Sequence, residues 1–138
     1  MSKTFTDPED MKKAIYSFAD NLRDAMAIGQ NVSLTNTYTK FENVVVAGMG
    51  GSAIGGDVNR MLLRDELKVP IYVSRNYHVP AWANARTLVI ASSYSGGTEE
   101  TLSALADALK KGCQICGITA GGELKDVLQK NDCDMVLI

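Results

Sequence analysis

This 138-residue sequence has little of what marks the specialised protein classes. Its 14 lysines and arginines do not outnumber its 16 aspartates and glutamates, so it has no basic field to attract nucleic acid or anionic lipid. No apolar run approaches the ~20 residues of a membrane-spanning helix. The first residues also lack the apolar core of a signal peptide. We therefore expect a cytoplasmic globular protein that binds neither nucleic acid nor membrane.

Cysteine and histidine are also scarce, at three residues and one residue. Cys113 and Cys116 have the C-x-x-C spacing of redox and metal sites. They lie in an apolar run typical of a strand, where residues three positions apart point to opposite faces. No second pair completes a zinc site, so we interpret all three cysteines as reduced thiols and expect no metal.

Residues 8–28 have the pattern of an amphipathic helix. Asp7 is predicted as its N-cap and Pro8 as its first residue. Its apolar residues recur at three- and four-residue spacing: Met11, Ile15, Phe18, Leu22 and Met26. Gly29 is predicted to end the helix, and the polar residues 30–40 are interpreted as a connector rather than a domain boundary.

From residue 43 to residue 138 the sequence alternates between short apolar runs and helical patterns. The runs predict strands at 44–47, 69–73, 88–91, 114–118 and 135–138. The helical patterns predict helices at 53–66, 98–111 and 123–130, the first with Ile54, Val58, Met61 and Leu62 on one face. Such alternation implies parallel strands and right-handed crossovers, so we predict one α/β domain, residues 1–138, with a doubly wound sheet between helical layers.

Two glycine clusters follow predicted strands directly. The first extends from Gly48 to Asp57 and the second from Ser92 to Thr98. Glycine lets the chain turn tightly and bring backbone N–H groups close to a ligand, and Ser52 is predicted to cap the first helix. A helix N-terminus favours an anion, most often phosphate.

The two clusters predict more together than apart. If the strand order is 2-1-3-4-5, strands one and three are neighbours and their loops flank one crevice. A phosphate there would receive N–H groups from both loops, without lysine or arginine, and hydroxyls from Ser52, Ser93, Ser95 and Thr98. A smaller glycine loop at 119–122 follows strand four. The pattern therefore predicts phosphate binding.

A nicotinamide or flavin nucleotide is an alternative ligand. Gly48, Gly50 and Ala53 fit the loose G-x-G-x-x-G/A pattern of dinucleotide sites. That pattern needs an acid at the end of strand two, where this sequence has Ser-Arg-Asn at 74–76. Arg75 would suit a 2′-phosphate, but a serine-rich second loop has no place in the pattern.

The segments Gly48–Ser52 and Ser93–Leu102 resemble the sugar isomerase (SIS) domain, and more narrowly the N-terminal half of bifunctional phosphoglucose/phosphomannose isomerases. The likeness continues through 74–82 and 118–124 and spans about residues 8–138. It implies a three-layer, flavodoxin-like fold with five parallel strands in the order 2-1-3-4-5, preceded by an N-terminal helix. It also implies interconversion of glucose 6-phosphate or mannose 6-phosphate with fructose 6-phosphate through an enediol(ate), without metal or organic cofactor.

In this family the phosphate is held by residues that match Gly50, Gly51, Ser52, Ser93, Ser95 and Thr98. Gly97 departs from the pattern, because this position is commonly asparagine. The family's glutamate base, ring-opening histidine and supporting lysine come from a second SIS domain, so we expect the catalytic residues beyond Ile138. The resemblance thus implies a fragment of a longer enzyme that is inactive in isolation, and SIS domains usually pair, so we expect a homodimer.

Four residues in this chain are of the types that could replace the missing acid and base. We interpret Glu99 and Glu100 as carboxylates that favour the first turn of their helix. His78 is interpreted as a loop residue and Arg75 as a residue at the rim of the crevice. Two other functions stay open: a non-catalytic sugar-phosphate sensor, and a single-SIS isomerase of sedoheptulose or hexulose phosphates, which would need further acids near the crevice.

Overall fold

The computed structural model describes residue 7, residues 9–38 and residues 40–138. Pro8, predicted as the first helical residue, lies outside them. The chain divides into two compact units, one ending at Ser33 and one comprising Leu34–Ile138.

The first unit contains α1 (Met11–Tyr16) and α2 (Phe18–Asn31), so the helix predicted at 8–28 is two helices. The prediction that Gly29 ends it was wrong. Glycine inside a helix costs only about 1 kcal/mol relative to alanine, and α2 continues until the Asn31 side chain donates to the carbonyl of Ala27 at 2.7 Å. The N-cap of α1 is Asp10 rather than the predicted Asp7, but the Asp7 carboxylate still accepts the N–H groups of Met11 at 2.9 Å and of Lys12 at 2.8 Å in the first turn.

The second unit is a five-stranded parallel sheet in the order β2-β1-β3-β4-β5, which confirms the predicted fold. Its strands are β1 (Asn43–Gly48), β2 (Ile71–Ser74), β3 (Thr87–Ser92), β4 (Gln114–Thr119) and β5 (Asp134–Leu137). Its helices are α3 (Gly50–Leu62), α4 (Glu99–Lys110) and α5 (Gly122–Lys130). Every predicted strand and helix of this unit is present, with ends that shift by up to four residues.

The core lies where α4 and α5 cover one face of the sheet. It contains Val45, Ala47, Val89, Ala91 and Ile115 of the strands and Ala104, Leu105, Leu124 and Leu128 of the helices. α3 packs differently, because its buried residues are Ala53 and Gly56, which allow a close approach to Val46 of β1. Its predicted apolar face does exist but is exposed: Ile54, Val58, Met61 and Leu62.

One buried carboxylate ties the connector before β1 to the end strand β5. Asp134, only 7% exposed, accepts hydrogen bonds at 2.7–3.0 Å from Thr35, Asn36 and Tyr38. Burial raises the pKa of Asp134, but these hydrogen bonds outweigh burial and lower it from 3.8 to about 2. Residues 35–38 are therefore held in place by one ionised side chain.

We predict that Asp134→Asn lowers the free energy of unfolding by about 1–3 kcal/mol at pH 7, because an amide cannot accept all these hydrogen bonds. The folded pKa of Asp134 lies below its unfolded value, so its contribution to stability is present above about pH 4 and is lost as the pH falls towards 2. Urea denaturation of both proteins at pH 7 and pH 3 measures this difference.

The control for this prediction is Asp132→Asn, which changes the same group two residues away. Asp132 is exposed and has a positive φ of 52°, a conformation that asparagine also tolerates. We expect this variant to match the wild type at both values of pH. A loss for Asp134→Asn that is equal at pH 7 and pH 3 would contradict the assigned ionisation.

Candidate phosphate-binding site

The two glycine clusters begin side by side, because the pairing of β1 with β3 places Gly48 opposite Ser92. A Cβ atom on Gly48 would lie 2.9 Å from the carbonyl oxygen of Ser92, so only glycine allows the strand ends to come this close. The two loops then line one open cavity of about 560 Å³. Its lining residues are Met49, Gly51, Ser52, Gly55, Ser92, Ser93, Tyr94, Ser95, Thr98 and Ile138.

Five of the six residues predicted to hold phosphate line this cavity, and Gly50 does not. Sequence reasoning missed Tyr94 and Gly55 among the lining residues. Both lie within the glycine clusters, so their position in the sequence was the available signal. Met49 and Ser92, also within the clusters, were missed as well, as was Ile138, which follows β5 and lies outside both clusters.

The first loop is itself the start of a helix. α3 begins at Gly50, and Met49 in an extended conformation occupies the N-cap position. The prediction that Ser52 caps the helix was wrong, because the glycines allow α3 to begin two residues before it. The backbone N–H groups of Gly50, Gly51 and Ser52 therefore belong to the first turn, where a helix offers no internal acceptor.

The second loop is ordered by its own hydroxyls. Ser93, 3% exposed, shares a hydrogen bond of 2.8 Å with Thr98, and its Oγ accepts the N–H of Gly96 at 3.2 Å. The Oγ of Ser95 accepts the N–H of Gly97 at 3.4 Å. α4 follows directly, with Thr98 at its N-cap position. Hydroxyl groups and a helix N-terminus thus meet at the cavity.

Among the described residues, no lysine or arginine lines the cavity, and neither do the four candidate acids and bases. Arg75 forms an ion pair with Asp57 of α3. His78 is largely exposed, and its Nδ1 lies 4.0 Å from the carboxylate of Asp107. Both lie on the loop that follows β2.

Glu99 and Glu100 occupy the first turn of α4, as predicted. Their negative charges raise the pKa of the Tyr77 hydroxyl, and Glu100 makes the larger contribution. Carboxylates in a first turn interact favourably with the helix dipole. The described lining residues therefore provide donors for an anion and no pair of groups for proton transfer.

The three cysteines are free thiols. Burial raises the pKa of each of them, which keeps them protonated, as interpreted from the sequence. Within residues 7, 9–38 and 40–138, no group of three or more histidine, cysteine or acidic side chains is placed to hold a metal ion. In the same part of the chain, no helix is long and apolar enough to cross a membrane.

We predict that Gly48→Ala lowers the free energy of unfolding by about 1–3 kcal/mol, since the new methyl group would force β1 and β3 apart. The control is Gly51→Ala, where a Cβ atom meets nothing within 4 Å and alanine favours the helix by up to ~1 kcal/mol. Urea denaturation measures both. Equal stability of the two variants would rule out a close contact at Gly48.

The sequence is similar to a curated bifunctional isomerase over most of its length. The bifunctional phosphoglucose/phosphomannose isomerase of Caldicellulosiruptor bescii is 44% identical over 128 residues, which are 93% of this chain and 38% of that protein. This chain thus spans well under half of the length of that relative. No family model matches the sequence.

Solved structures share the fold. The C-terminal domain of glucosamine-fructose-6-phosphate aminotransferase from Francisella tularensis has a TM-score of 0.69 at 18% identity, over 99% of this chain and 41% of that chain. The Vibrio vulnificus NanR protein, solved in complex with ManNAc-6P, has a TM-score of 0.63 at 20% identity, over 92% of this chain and 50% of that chain. The resemblance inferred from the motifs is therefore confirmed: this chain has the fold of the sugar isomerase (SIS) domain, and its sequence is similar to the bifunctional phosphoglucose/phosphomannose isomerases.

Proposed function

We propose that this chain is the phosphosugar-binding domain of an isomerase that interconverts glucose 6-phosphate or mannose 6-phosphate with fructose 6-phosphate. The observation that carries the proposal is the meeting of Gly51 and Ser52 with Ser93, Ser95 and Thr98 at one cavity. The likeness to a bifunctional isomerase supplies the substrate class and the reaction.

In this proposal the phosphate binds at the N-termini of two helices. α3 has 13 residues and α4 has 12, so each carries a partial positive charge at its start. The backbone N–H groups of the first turn of α3 bind the phosphate oxygens together with the hydroxyls of Ser93, Ser95 and Thr98. Gly50 contributes its N–H group without lining the cavity. At Gly97, where the family commonly has asparagine, a Cβ atom would meet nothing within 4 Å, so the loop has room for a side chain at this position.

We propose that the acid and base of the reaction lie outside residues 1–138. Moving a proton between C1 and C2 of the sugar needs a base, and opening the ring needs an acid. The described lining of the cavity contains no side-chain carboxylate, imidazole or amine for these roles, and the chain spans only 38% of its bifunctional relative. The reaction itself requires no metal or organic cofactor, since side-chain acids and bases are sufficient for it.

A non-catalytic sugar-phosphate sensor is the second candidate. The shared fold of the NanR protein, solved with ManNAc-6P, favours it, together with the missing acid–base pair. The two candidates predict different activities for the full-length protein. If the isomerase proposal is right, the full-length protein converts fructose 6-phosphate into glucose 6-phosphate and mannose 6-phosphate, and this is the result we expect. Binding of fructose 6-phosphate by the full-length protein without turnover would favour the sensor.

We also propose that the protein is a cytoplasmic homodimer. The exposed side of α3 supports pairing, because Ile54, Val58 and Met61 form an apolar stripe along it, flanked by charges of both signs at Asp57 and Arg60. Two antiparallel copies of such a helix would bring acidic and basic residues opposite each other. Analytical ultracentrifugation of the wild type and of Val58→Asp tests this arrangement. A dimer for the wild type and a monomer for the variant are expected, whereas a wild-type monomer would exclude it.

We predict that Ser93→Ala/Ser95→Ala weakens binding of fructose 6-phosphate at least tenfold. Each variant position removes a serine hydroxyl, and the loss of a hydrogen bond to a charged ligand costs about 1.5–3 kcal/mol. Isothermal titration calorimetry measures the dissociation constant. Ser95→Ala alone should also weaken binding; its side chain is exposed, so this variant keeps the buried Ser93 and the fold intact.

The matched control is Ser103→Ala, which removes a hydroxyl from α4 away from the cavity. It should bind fructose 6-phosphate like the wild type. If the double variant and this control bind equally well, the anion binds elsewhere. Titration with NADPH tests the nucleotide alternative, and no heat of binding is expected.

We predict that the purified 138-residue chain binds fructose 6-phosphate but produces no glucose 6-phosphate or mannose 6-phosphate. Coupled assays for both products over several hours, at high protein concentration, check this expectation. Turnover that is lost in Ser93→Ala/Ser95→Ala would contradict the proposal that the base lies outside this chain.

A further inference from the structure

We propose that Gly121 and Gly122, between β4 and α5, are positioning residues that hold the loop at 93–98 in its anion-binding conformation. The proposal rests on the proposed function, because it concerns the same cavity. Neither glycine lines that cavity. Their effect on a ligand would therefore act through the serine-rich loop.

Backbone hydrogen bonds join the loop at 93–98 to the segment from the end of β4 to the start of α5. The loop at 93–98 donates one of three bonds and accepts the other two, and together they fix the separation and the register of the two segments. The three bonds run from Ser93 N–H to the Ile118 carbonyl at 3.0 Å, from Ala120 N–H to the Tyr94 carbonyl at 3.1 Å, and from Leu124 N–H to the Gly96 carbonyl at 2.8 Å.

The loops also touch backbone to backbone, with no space for a side chain between them. A Cβ atom on Gly96 would lie 1.8 Å from the carbonyl oxygen of Gly121. A Cβ atom on Gly122 would lie 2.5 Å from the carbonyl oxygen of Ser95. Gly96 and Gly122 both have positive φ, 70° and 66°, so glycine is favoured at both for conformation as well as for space.

Thr119 holds the second loop in the shape that makes this contact. Its buried hydroxyl donates to the carbonyl of Gly121 at 2.8 Å and accepts the N–H of Gly121 at 3.1 Å. Because Thr119 is the last residue of β4, the sheet itself fixes this loop. The conformation of the sheet is thus transmitted through Gly121 and Gly122 to the serine-rich loop.

The consequence for anion binding concerns Ser95 and Gly96. The Gly96 carbonyl accepts the N–H of Leu124 of α5. The Ser95 carbonyl lies against Gly122, so Gly122 fixes the position of the peptide group between Ser95 and Gly96. A methyl group on Gly122 would displace this peptide and with it the Ser95 hydroxyl. Hydrogen bonds weaken steeply with misalignment, so the loss would appear in anion affinity.

The test compares Gly122→Ala with Gly112→Ala. Gly112 has a φ of 68°, almost equal to that of Gly122, but a Cβ atom there would meet nothing within 4 Å. Both variants therefore carry the same left-handed strain, and only Gly122→Ala disturbs the contact between the loops. We expect Gly122→Ala to weaken binding of fructose 6-phosphate and inorganic phosphate at least fivefold, and Gly112→Ala to stay within twofold of the wild type.

Hydrogen exchange of the wild type gives a second measurement that does not depend on a variant folding. Saturation with inorganic phosphate should slow exchange at the amides of Ala120 and Leu124 at least threefold, since their acceptors lie in the anion-binding loop. The amide of Cys133, which donates to Leu128 at the other end of α5, is the internal control and should not change.

The outcomes separate this inference from the proposed function. Equal affinities of Gly122→Ala and Gly112→Ala, or unchanged exchange at Ala120 and Leu124 in a wild type that binds phosphate, would overturn the positioning role alone. A wild type that binds neither fructose 6-phosphate nor inorganic phosphate would overturn the proposed function first, and the inference with it.

Discussion

The candidate site depends on one constraint, the parallel pairing of β1 with β3. Their register ends with Gly48 beside Ser92, so the chain leaves both strands at one point of the sheet edge. α3 then packs on the face that carries Val46, and α4 on the face that carries Val45 and Ala47. The helices α3 and α4 therefore begin close together and pack on opposite faces of the sheet, so their N-termini flank one crevice. Without this pairing, each glycine loop would be an ordinary turn.

Much of this arrangement could be predicted because it has local causes. The apolar runs at 44–47 and 88–91 have the length and composition of buried strands, and the glycine-rich loop after each permits a tight turn. The start of α3 could not be placed from the sequence. Gly50, Gly51, Gly55 and Gly56 flank Ser52, and glycine is compatible with both a turn and a helix. The side of α3 that faces the sheet could not be predicted from hydrophobicity either, because its buried residues, Ala53 and Gly56, are small rather than strongly apolar. The contact between Gly96 and Gly121 joins distant segments, and no local pattern encodes it.

The residues that line the cavity are suited to binding the phosphate of the ligand and not to the chemical step on its sugar. Backbone N–H groups ordered by a sheet bind an anion without fixing long side chains, each of which carries about 2 kcal/mol of rotamer entropy. In a sugar 6-phosphate, C1 and C2 lie at the other end of the carbon chain from the phosphate. A cradle that holds the phosphate therefore leaves the reacting carbons outside itself. Under the proposed function the acid and base would belong on a different element, which agrees with a described cavity lining of neutral donors.

Contact through glycine backbones suits a cradle of this kind better than contact through side chains. A side chain between the loops would have rotamers, and the loop at 93–98 would then sample several positions. The carbonyl of Gly121 against Gly96 leaves no such freedom, and three backbone hydrogen bonds fix the register of the two loops. Glycine is flexible in the unfolded chain, so this rigidity comes entirely from the fold. In the proposed positioning role, the glycines of the 119–122 loop are needed because only they allow the close backbone contact. The fold then fixes the conformation of this contact, and the anion site depends on it.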